Sequence, residues 1–285
     1  MSQMTLPNVL NIGAMKSGTT GVFMDLVKHP DFYEPQDKEP GDLCSDLVFT
    51  EAGLEKYANR YATADKQQII CDASTTYTKR PDIEGVAQRA VQVLPADFKV
   101  IYVVRHPIRR ILSQHWHELT DNQVSLGIDD AVRQYERFVA YSRYAYQLEP
   151  WIAAVGLDRI RVVQFEEYMA NREQVIKGLW EFLGLQPPYP TVDKTVYNQS
   201  SSKPILNGFW SQVRTSWVYQ TVRPLISLSS RKILRELILP KANDKPAPPT
   251  PETIQWLNEE LSSDYLKLVE MLQDQAPRWN DLVEV

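Results

Sequence analysis

A glycine-rich turn near the N-terminus carries the residues that a phosphate site needs. It lies in the stretch NVLNIGAMKSGTTGVFMDLVKHP and places Gly13 and Gly18 at the spacing of the P-loop pattern G-x-x-x-x-G-K-[ST]. Thr20 occupies the last position of that pattern, but Thr19 stands where its lysine belongs, and Lys16 lies inside the loop instead. Backbone N–H groups at such a turn bind an anion with the help of the following helix dipole. The turn therefore predicts a phosphate site with a relocated lysine.

A second stretch, VIYVVRHPIRRILSQHWHEL, offers partners for another phosphate. Arg105 ends an apolar run, and Pro107 suits the first turn of a helix because its missing N–H costs nothing there. Arg109, Ser113 and His117 then follow at intervals of four, which places them on one helical face. A fixed arginine at a strand end and a hydroxyl two turns along can clamp a second phosphate.

The kind of phosphate ligand stays open at this point. A P-loop kinase also needs Mg²⁺, held partly by an aspartate at the end of a second strand. The run QQIICD ends in Asp72, which suits that role, whereas the run FKVIYVV ends in Arg105. Because Lys16 would reach a different phosphate group from the usual one, the loop is also compatible with a ligand that needs no metal.

The elements that must position these residues alternate between strand and helix patterns. Apolar runs without strict alternation, typical of strands buried on both faces, occur at NVLNIG, QQIICD, FKVIYVVR and IRVVQFE. Amphipathic helical patterns lie between them, as in TTGVFMDLVKH, IEGVAQRAVQVL and EQVIKGLWEFLGL, the last closed by Gly184. This order predicts an α/β fold, a P-loop-like three-layer domain with a central parallel sheet flanked by helices.

With both motifs in view, the sequence resembles the sulfotransferases that use 3′-phosphoadenosine 5′-phosphosulfate (PAPS). GAMKSGTT is similar to the family's 5′-phosphosulfate loop, and VRHPIRRILSQH to its 3′-phosphate motif. The resemblance continues through LVKHPDFYEPQDKEP, CDASTTY and VVQFEEYMANREQVIKGLWEFLGL, and loosely reaches PRWNDL. It covers most of residues 8–185 and is closer to the carbohydrate-type, heparan-sulfate and bacterial branch than to the cytosolic small-molecule branch.

The resemblance assigns roles to the two motifs. It implies that Lys16 contacts the oxygen bridging phosphate and sulfate, and neutralises charge on the leaving adenosine 3′,5′-bisphosphate (PAP). It implies that Arg105 and Ser113 bind the 3′-phosphate, and that Lys203, in NQSSSKP, belongs to the loop that closes over it in relatives. The backbone of the loop would bind the 5′-phosphate, through Ser17, Gly18, Thr19 and Thr20. PAPS needs no metal, which fits the relocated lysine.

A base must take the proton of the acceptor. By the resemblance, DKEPGDL places Glu39 where the carbohydrate branch has its glutamate base, although Gly41-Asp42-Leu43 replaces the usual HFF. The chain has four histidines. His29, His106 and His117 have plain structural interpretations, and His115 lies on the same predicted helix as His117. None aligns with the catalytic histidine of the cytosolic branch.

The acceptor side differs from the family pattern. The segment that reads EKTPAY in relatives reads DASTTY here, so Ala73 stands where the family has a lysine. That difference weighs against a highly sulfated glycosaminoglycan acceptor. We therefore expect sulfuryl transfer by in-line displacement to a hydroxyl, or less often an amine, of a small molecule, lipid or saccharide. The alternatives are a Mg-dependent small-molecule kinase and a non-enzymatic protein that binds a nucleotide or a membrane surface.

Composition narrows the class of protein. With 43% hydrophobic and 24% charged residues and a net charge of −5, the chain lacks the basic excess of a general nucleic-acid binder. It shows no apolar run long enough to span a bilayer and no signal-peptide pattern at its start. Its two cysteines, Cys44 and Cys71, lack metal or redox spacing, which favours a reduced, cytoplasmic setting.

The C-terminal part differs in texture. We expect one domain over 1–285, with a PAPS-binding core over 6–185; a loop, a basic helical segment and a C-terminal helix packed on the core would make up 186–285. Residues 203–245 hold eight lysines and arginines against two acidic residues. They form either a solvated basic face or a surface for an anionic ligand or for peripheral membrane contact. Apolar residues at helical spacing over 254–272 predict the last helix.

Overall fold

A five-stranded parallel sheet forms the centre of the computed structural model, which describes residues 4–64, 69–192, 246–279 and 282. The strands run in the order β2-β3-β1-β4-β5, and because all pairings are parallel, each of the four connections between successive strands is a crossover. They are β1 (Val9–Asn11), β2 (Phe32–Tyr33), β3 (Ile69–Asp72), β4 (Lys99–Val104) and β5 (Ile160–Gln164). The central strand β1 pairs with β3 and β4, with Leu10 opposite both Asp72 and Val100. The β1 end, and hence the loop after it, lies in the middle of the carboxyl edge of the sheet.

Both faces of this sheet are covered by helices, which explains the absence of alternation in its strands. In β4, Val100, Tyr102 and Val104 belong to one apolar core, while Ile101 and Val103 belong to the other. The described α-helices are α1 (Thr19–Leu26), α2 (Glu51–Asn59), α3 (Val86–Val93), α4 (Pro107–Thr120), α5 (Ile128–Gln134), α6 (Arg137–Ala140), α7 (Tyr144–Val155), α8 (Phe165–Ala170), α9 (Arg172–Leu183) and α10 (Pro251–Leu272). Helices α1, α8 and α9 cover the second core, and the others contribute to the first.

A buried ion pair joins the helices of the smaller layer. The Asp25 carboxylate on α1 has no exposed side-chain area and lies 2.5 Å from Arg172 Nε at the start of α9. Tyr168 donates a hydrogen bond to the same carboxylate at 2.7 Å. Because α1 follows the loop directly, these contacts fix the direction in which the helix points at a ligand.

The last helix packs on α7. Leu257, Leu261 and Leu268 are buried in the larger core, as the helical spacing predicts. Asp264 accepts hydrogen bonds from the backbone N–H groups of Ala145 and Tyr146, in the first turn of α7, at 3.0 and 2.9 Å. A carboxylate from one helix thus satisfies the start of another. No helix in the part of the chain that the structure describes is both long and apolar enough to cross a membrane.

The predicted α/β architecture is confirmed, with all four predicted strands and the helices predicted beside them present. Gly184 ends α9 in the left-handed conformation at φ 89°, as expected of a C-cap. The strand β2 was not predicted, because two residues at a sheet edge are too short to show a pattern. The division of 1–285 into a core and a C-terminal part stays a prediction.

Candidate functional site

The loop between β1 and α1 is bound to the neighbouring strand along its length. The Ile12 and Ala14 N–H groups donate to β4 carbonyls at 3.0 and 2.6 Å. Gly18 caps α1 in the left-handed conformation, at φ 85°. A Cβ atom there would lie 2.5 Å from the Phe165 ring, so glycine is required by space as well as by conformation. Lys16 also adopts a positive φ, of 69°.

The end of this loop has donors suited to an anion. The first hydrogen bonds of α1 are donated by Gly21 and Val22 to the Gly18 carbonyl, so the N–H groups of Gly18, Thr19 and Thr20 precede the helical ladder. The Ser17 hydroxyl is buried and contacts the hydroxyl of Tyr144. These groups therefore fit the 5′-phosphate for which the sequence predicts the loop.

Arg105 closes against the loop from the end of β4. Its Nη1 donates to the Lys16 carbonyl at 3.3 Å, and its guanidinium lies 5.0 Å from the centre of the Phe165 ring. Its Nε is buried and has no partner in the described part of the chain. Burial lowers the pKa of the Arg105 guanidinium, which indicates that an anion placed there would be strongly attracted. The structure thus joins the two sequence motifs into one site.

Three aromatic residues that hold this site escaped the sequence analysis or were seen only loosely. Tyr144, at the start of α7, donates to the Arg105 carbonyl at 2.7 Å, and burial raises its pKa to about 12. Trp279 packs on Tyr144, with ring centres 5.7 Å apart. Phe165 separates Gly18 from Arg105. Of these, Trp279 lies in the loosely matching PRWNDL and Phe165 lies in the matching VVQFEEYM, whereas Tyr144 left no signal.

Glu166 anchors the turn after Arg105. Its Oε1 accepts from the His106 backbone N–H at 3.0 Å and its Oε2 accepts from the Trp279 indole at 3.4 Å. The carboxylate attracts Arg105 and raises its pKa against the effect of burial. Glu166 belongs to the acidic segment that the sequence analysis compared with the family, so that segment supports the 3′-phosphate motif.

Helix α4 presents two different polar faces. On the predicted face, Arg109 is exposed, Ser113 is half-buried, and His117 lies 3.4 Å from Asp121 at the end of the helix. Ser113 therefore lies two turns from the Arg105 turn, on the face proposed for the 3′-phosphate. The neighbouring face carries Arg110, Gln114 and Glu118, which are buried. That second face was not considered in the sequence analysis.

Glu39 lies at the carboxyl edge of β3. Its Oε1 is 2.7 Å from Lys38 Nζ, and its Oε2 accepts from Thr75 Oγ1 at 3.0 Å. Lys38 Nζ also donates to the carbonyl of Ala73, the residue that stands where the family pattern has a lysine, at 3.3 Å. The predicted base is thus held by two side chains and remains exposed to solvent.

Asp72, the residue that a kinase would use for Mg²⁺, is occupied otherwise. It is fully buried and accepts from Ser74 at 2.6 Å, Tyr57 at 2.8 Å and Tyr77 at 2.5 Å. Burial raises its pKa to about 6. Because three hydroxyls saturate its oxygens, the role of Mg²⁺ ligand that the sequence left open for Asp72 does not fit this geometry.

The histidines have structural environments. His29 contacts Trp180 and lies 3.2 Å from the Gln186 carbonyl, and His115 Nε2 lies 2.9 Å from the Leu126 carbonyl. His106 packs edge-on against Trp279 at 6.1 Å. Glu39 stays the predicted base. Lys203 and the basic segment 203–245 lie outside the described residues.

Comparison with known proteins identifies relatives of this fold. Residues 41–189 match a model described as "Sulfotransferase family". The membrane-associated sulfotransferase kil1 of Dictyostelium discoideum is 34% identical over 39% of this chain and 22% of its own length. The heparan sulfate glucosamine 3-O-sulfotransferase 3B1 of Mus musculus is 25% identical over 81% of this chain and 60% of its own. The chain thus spans less than two thirds of these curated relatives.

A solved structure shares the whole architecture. A sulfotransferase from Alicyclobacillus acidocaldarius superposes with a TM-score of 0.67 at 18% identity, over 97% of this chain and 98% of that one. At this identity the likeness establishes the fold, a parallel sheet with a P-loop-like turn.

Proposed function

Because the chain belongs to the sulfotransferase family, we propose that it transfers a sulfuryl group from PAPS to an acceptor hydroxyl, or less often an amine. The observation that supports this most is the closure of Arg105 on the Lys16 carbonyl, at 3.3 Å. Arg105 thus adds a second cation to the phosphate loop, in which Lys16 lies before the position that the lysine takes in the P-loop pattern. A nucleotide with phosphates at both its 5′ and 3′ positions matches such a pair of sites.

The buried groups of the site fit this nucleotide. Arg105 Nε is a buried donor without a partner among the described residues, and it would gain a phosphate oxygen. The N–H groups of Gly18, Thr19 and Thr20, together with the Ser17 hydroxyl, would bind the 5′-phosphate, whereas the Ser17 N–H already donates to the Ala14 carbonyl at 3.1 Å. Arg105 and Ser113 would bind the 3′-phosphate. We keep Lys203 as a further proposed contact from the sequence resemblance.

Each reacting group would have a partner from this chain. Bound PAPS would supply the sulfuryl group and leave as PAP. Lys16 would neutralise the negative charge that develops on the phosphate oxygen as its bond to sulfur breaks. Glu39 would accept the proton of the acceptor oxygen as that oxygen forms its bond to sulfur. Lys38 and Thr75 would orient the Glu39 carboxylate, since each already contacts one of its oxygens.

The acceptor class is proposed as a small molecule, a lipid or a saccharide. The mouse relative is named for heparan sulfate, which indicates a saccharide acceptor for that protein. Peripheral membrane contact through 203–245 remains a proposal from charge alone. We also propose the cytoplasm as location, which is consistent with Cys44 and Cys71 being free thiols.

Calorimetric titration with PAP tests the proposal, beside ATP with and without Mg²⁺. We expect tight PAP binding that is independent of metal and falls by about a hundredfold or more in Arg105→Ala, because a charge-assisted phosphate contact is lost. Arg161→Ala is the matched control, since Arg161 is exposed near the start of β5, at the opposite sheet edge. Preference for Mg·ATP, or equal binding by Arg105→Ala, would contradict the proposal.

A further inference from the structure

Lys79 is a cation whose charge the described residues leave without a counterpart. It follows the 3-10 turn Thr75–Thr78 and is half-buried. Its ammonium lies 5.8 Å from the centre of the Tyr141 ring, and among the described residues no carboxylate or hydrogen-bond acceptor is paired with it. Burial lowers the pKa of Lys79, as expected for an ammonium partly removed from water.

The turn before Lys79 connects the two parts of the proposed reaction site. At its start, Thr75 Oγ1 donates to Glu39 at 3.0 Å; at its end, Thr78 Oγ1 donates to the Ile12 carbonyl, where the phosphate loop begins, at 2.9 Å. Lys79 is therefore the next residue after a segment that touches both the proposed base and the loop. Glu39 is close enough to raise the pKa of Lys79 against the effect of burial.

A second unpaired cation lies behind Lys79. Arg110 on α4 is fully buried, with Nε on Ser142 and Nη2 on the Phe138 carbonyl, whereas its Nη1 has no partner in the described residues. Its charge is felt at Lys79 and lowers the pKa of that ammonium further. Two like charges are thus held together at one side of the acceptor region.

The nearby carboxylate does not neutralise this pair. Glu118 attracts both cations, but Arg137 Nη2 lies 2.7 Å from its Oε2 and Gln114 Nε2 donates to its Oε1 at 2.7 Å. The region therefore keeps an excess of positive charge. Holding partly desolvated cations without a counter-ion costs free energy, and an anionic ligand would offset that cost.

We propose that Lys79 binds an anionic group of the acceptor, a carboxylate, sulfate or phosphate, while the acceptor hydroxyl faces Glu39. The charge of Arg110 adds to the attraction from behind, without direct contact. This inference rests on the proposed function, whose acceptor it narrows from any hydroxyl compound to one that carries a negative charge beside the hydroxyl.

A matched pair of phenols tests the subsite. 4-Hydroxybenzoate and 4-hydroxybenzamide both carry an acceptor hydroxyl and differ in the charge of one group. We would titrate each into the PAP-saturated protein by calorimetry, and measure phenol sulfation with PAPS. The wild type should bind the carboxylate about tenfold more tightly than the amide, and Lys79→Gln should lose that preference. The pair 4-hydroxybenzenesulfonate and 4-hydroxybenzenesulfonamide repeats the comparison for a sulfur oxyanion, because both keep the acceptor hydroxyl and differ in the charge of one group.

Controls separate this idea from its neighbours. Lys79→Arg should keep the preference, because it keeps the charge, and so should Lys56→Gln, because Lys56 is exposed on α2. Equal binding within both pairs, binding of none of the four compounds, or a preference that survives Lys79→Gln would overturn the subsite and leave Lys79 as a partner of Tyr141 alone. PAP binding is measured first, in the wild type and in every variant. If the wild type does not bind PAP, the result contradicts the proposed function and not the subsite.

Discussion

Gly18 is the residue of the phosphate loop at which both the backbone conformation and the available space require glycine. The position needs a positive φ to start α1, and the Phe165 ring fills the space where a side chain would begin. Gly18→Ala should therefore destabilise the fold by about 1–3 kcal/mol through strain and overpacking. It should also weaken PAP binding, because the N–H groups of the loop would shift. Thermal unfolding and calorimetry measure the two effects.

Gly178 provides the comparison for that variant. It lies inside α9, and nothing lies within 4 Å of a Cβ added there. Gly178→Ala should leave PAP binding unchanged and stabilise the fold by up to about 1 kcal/mol, since alanine favours helix. If both variants behaved alike, the requirement for glycine at position 18 would be disproved.

Asp72 makes a pH-dependent contribution to stability. Its pKa is raised to about 6 in the folded protein, so between the unfolded value and pH 6 the folded state binds more protons. The contribution of Asp72 is thus favourable at low pH and is lost as pH rises through this window. Stability of the wild type relative to Asp72→Asn should fall by about 3 kcal/mol between about pH 4 and about pH 7.

Urea unfolding of both proteins at a series of pH values measures this difference, in which other titrating groups cancel. Tyr33→Phe is a control that removes an exposed hydroxyl contact instead, with Thr63 at 2.8 Å. It should leave the pH profile of the wild type unchanged. A difference between wild type and Asp72→Asn that stays constant with pH would refute the buried carboxyl as its source.

At the scale of elements, a single carboxylate contributes more to the attachment of α10 to α7 than the exposed ion pairs do. Asp264 accepts two backbone N–H groups at the start of α7. Asp264→Ala should cost about 1–3 kcal/mol, because both donors then lose their partner in a half-buried place. Lys267, paired with Glu149 at 3.0 Å, has half of its side chain exposed. Lys267→Ala should change stability by less than about 1 kcal/mol in the same unfolding experiment. A reversed order would show that exposed charge pairs hold α10.

Helix α4 divides its work between two faces. The exposed and half-buried face with Arg109 and Ser113 serves the proposed 3′-phosphate site. The buried face with Arg110 and Gln114 connects to the proposed acceptor side. A single helix would thus connect the proposed nucleotide and acceptor sites, which explains why it carries polar residues on two faces.

At the scale of the molecule, Trp279, from the last described part of the chain, packs beside the proposed nucleotide site. Trp279 lies against Tyr144, Tyr265 and His106, with ring centres 5.5 to 6.1 Å away, and is buried. Trp279→Ala should cost about 3–5 kcal/mol of stability through the cavity it leaves. It should also weaken PAP binding, since Tyr144 and His106 hold the Arg105 turn. Unfolding with and without PAP measures both effects, because a ligand of the folded state adds stability.

Trp256 is the matched aromatic control. It lies on α10 and is half-buried, with the Arg133 guanidinium 4.7 Å from its ring centre. Trp256→Ala should cost less stability than Trp279→Ala and leave PAP affinity unchanged. An equal loss of PAP affinity in both variants would mean that Trp279 acts through general stability alone.

Much of the fold could be predicted because its causes are local. Buried parallel strands show as apolar runs, helices as a repeat of about 3.6 residues, and the loop as two glycines at fixed spacing. Arg105 follows β4 directly and Lys16 lies in the loop after β1, so their common sheet edge could be expected as well. The edge strand β2 and the buried face of α4 were not predicted. The strand is too short to show a pattern, and the polar residues of both faces of α4 recur at the same interval of four, so spacing alone does not distinguish the faces.

The sequence by itself determined the class of fold, the phosphate loop and the candidates Lys16, Glu39 and Arg105. Only the tertiary structure decided how those candidates are held: Tyr144 and Trp279 behind Arg105, and Lys38 at the Ala73 carbonyl. It also decided that Asp72 is enclosed by hydroxyls rather than free for a metal. The physical reason is sequence separation. Partners such as Tyr144 and Trp279 lie far apart along the chain, and no local period or spacing records a contact that forms only when the cores pack.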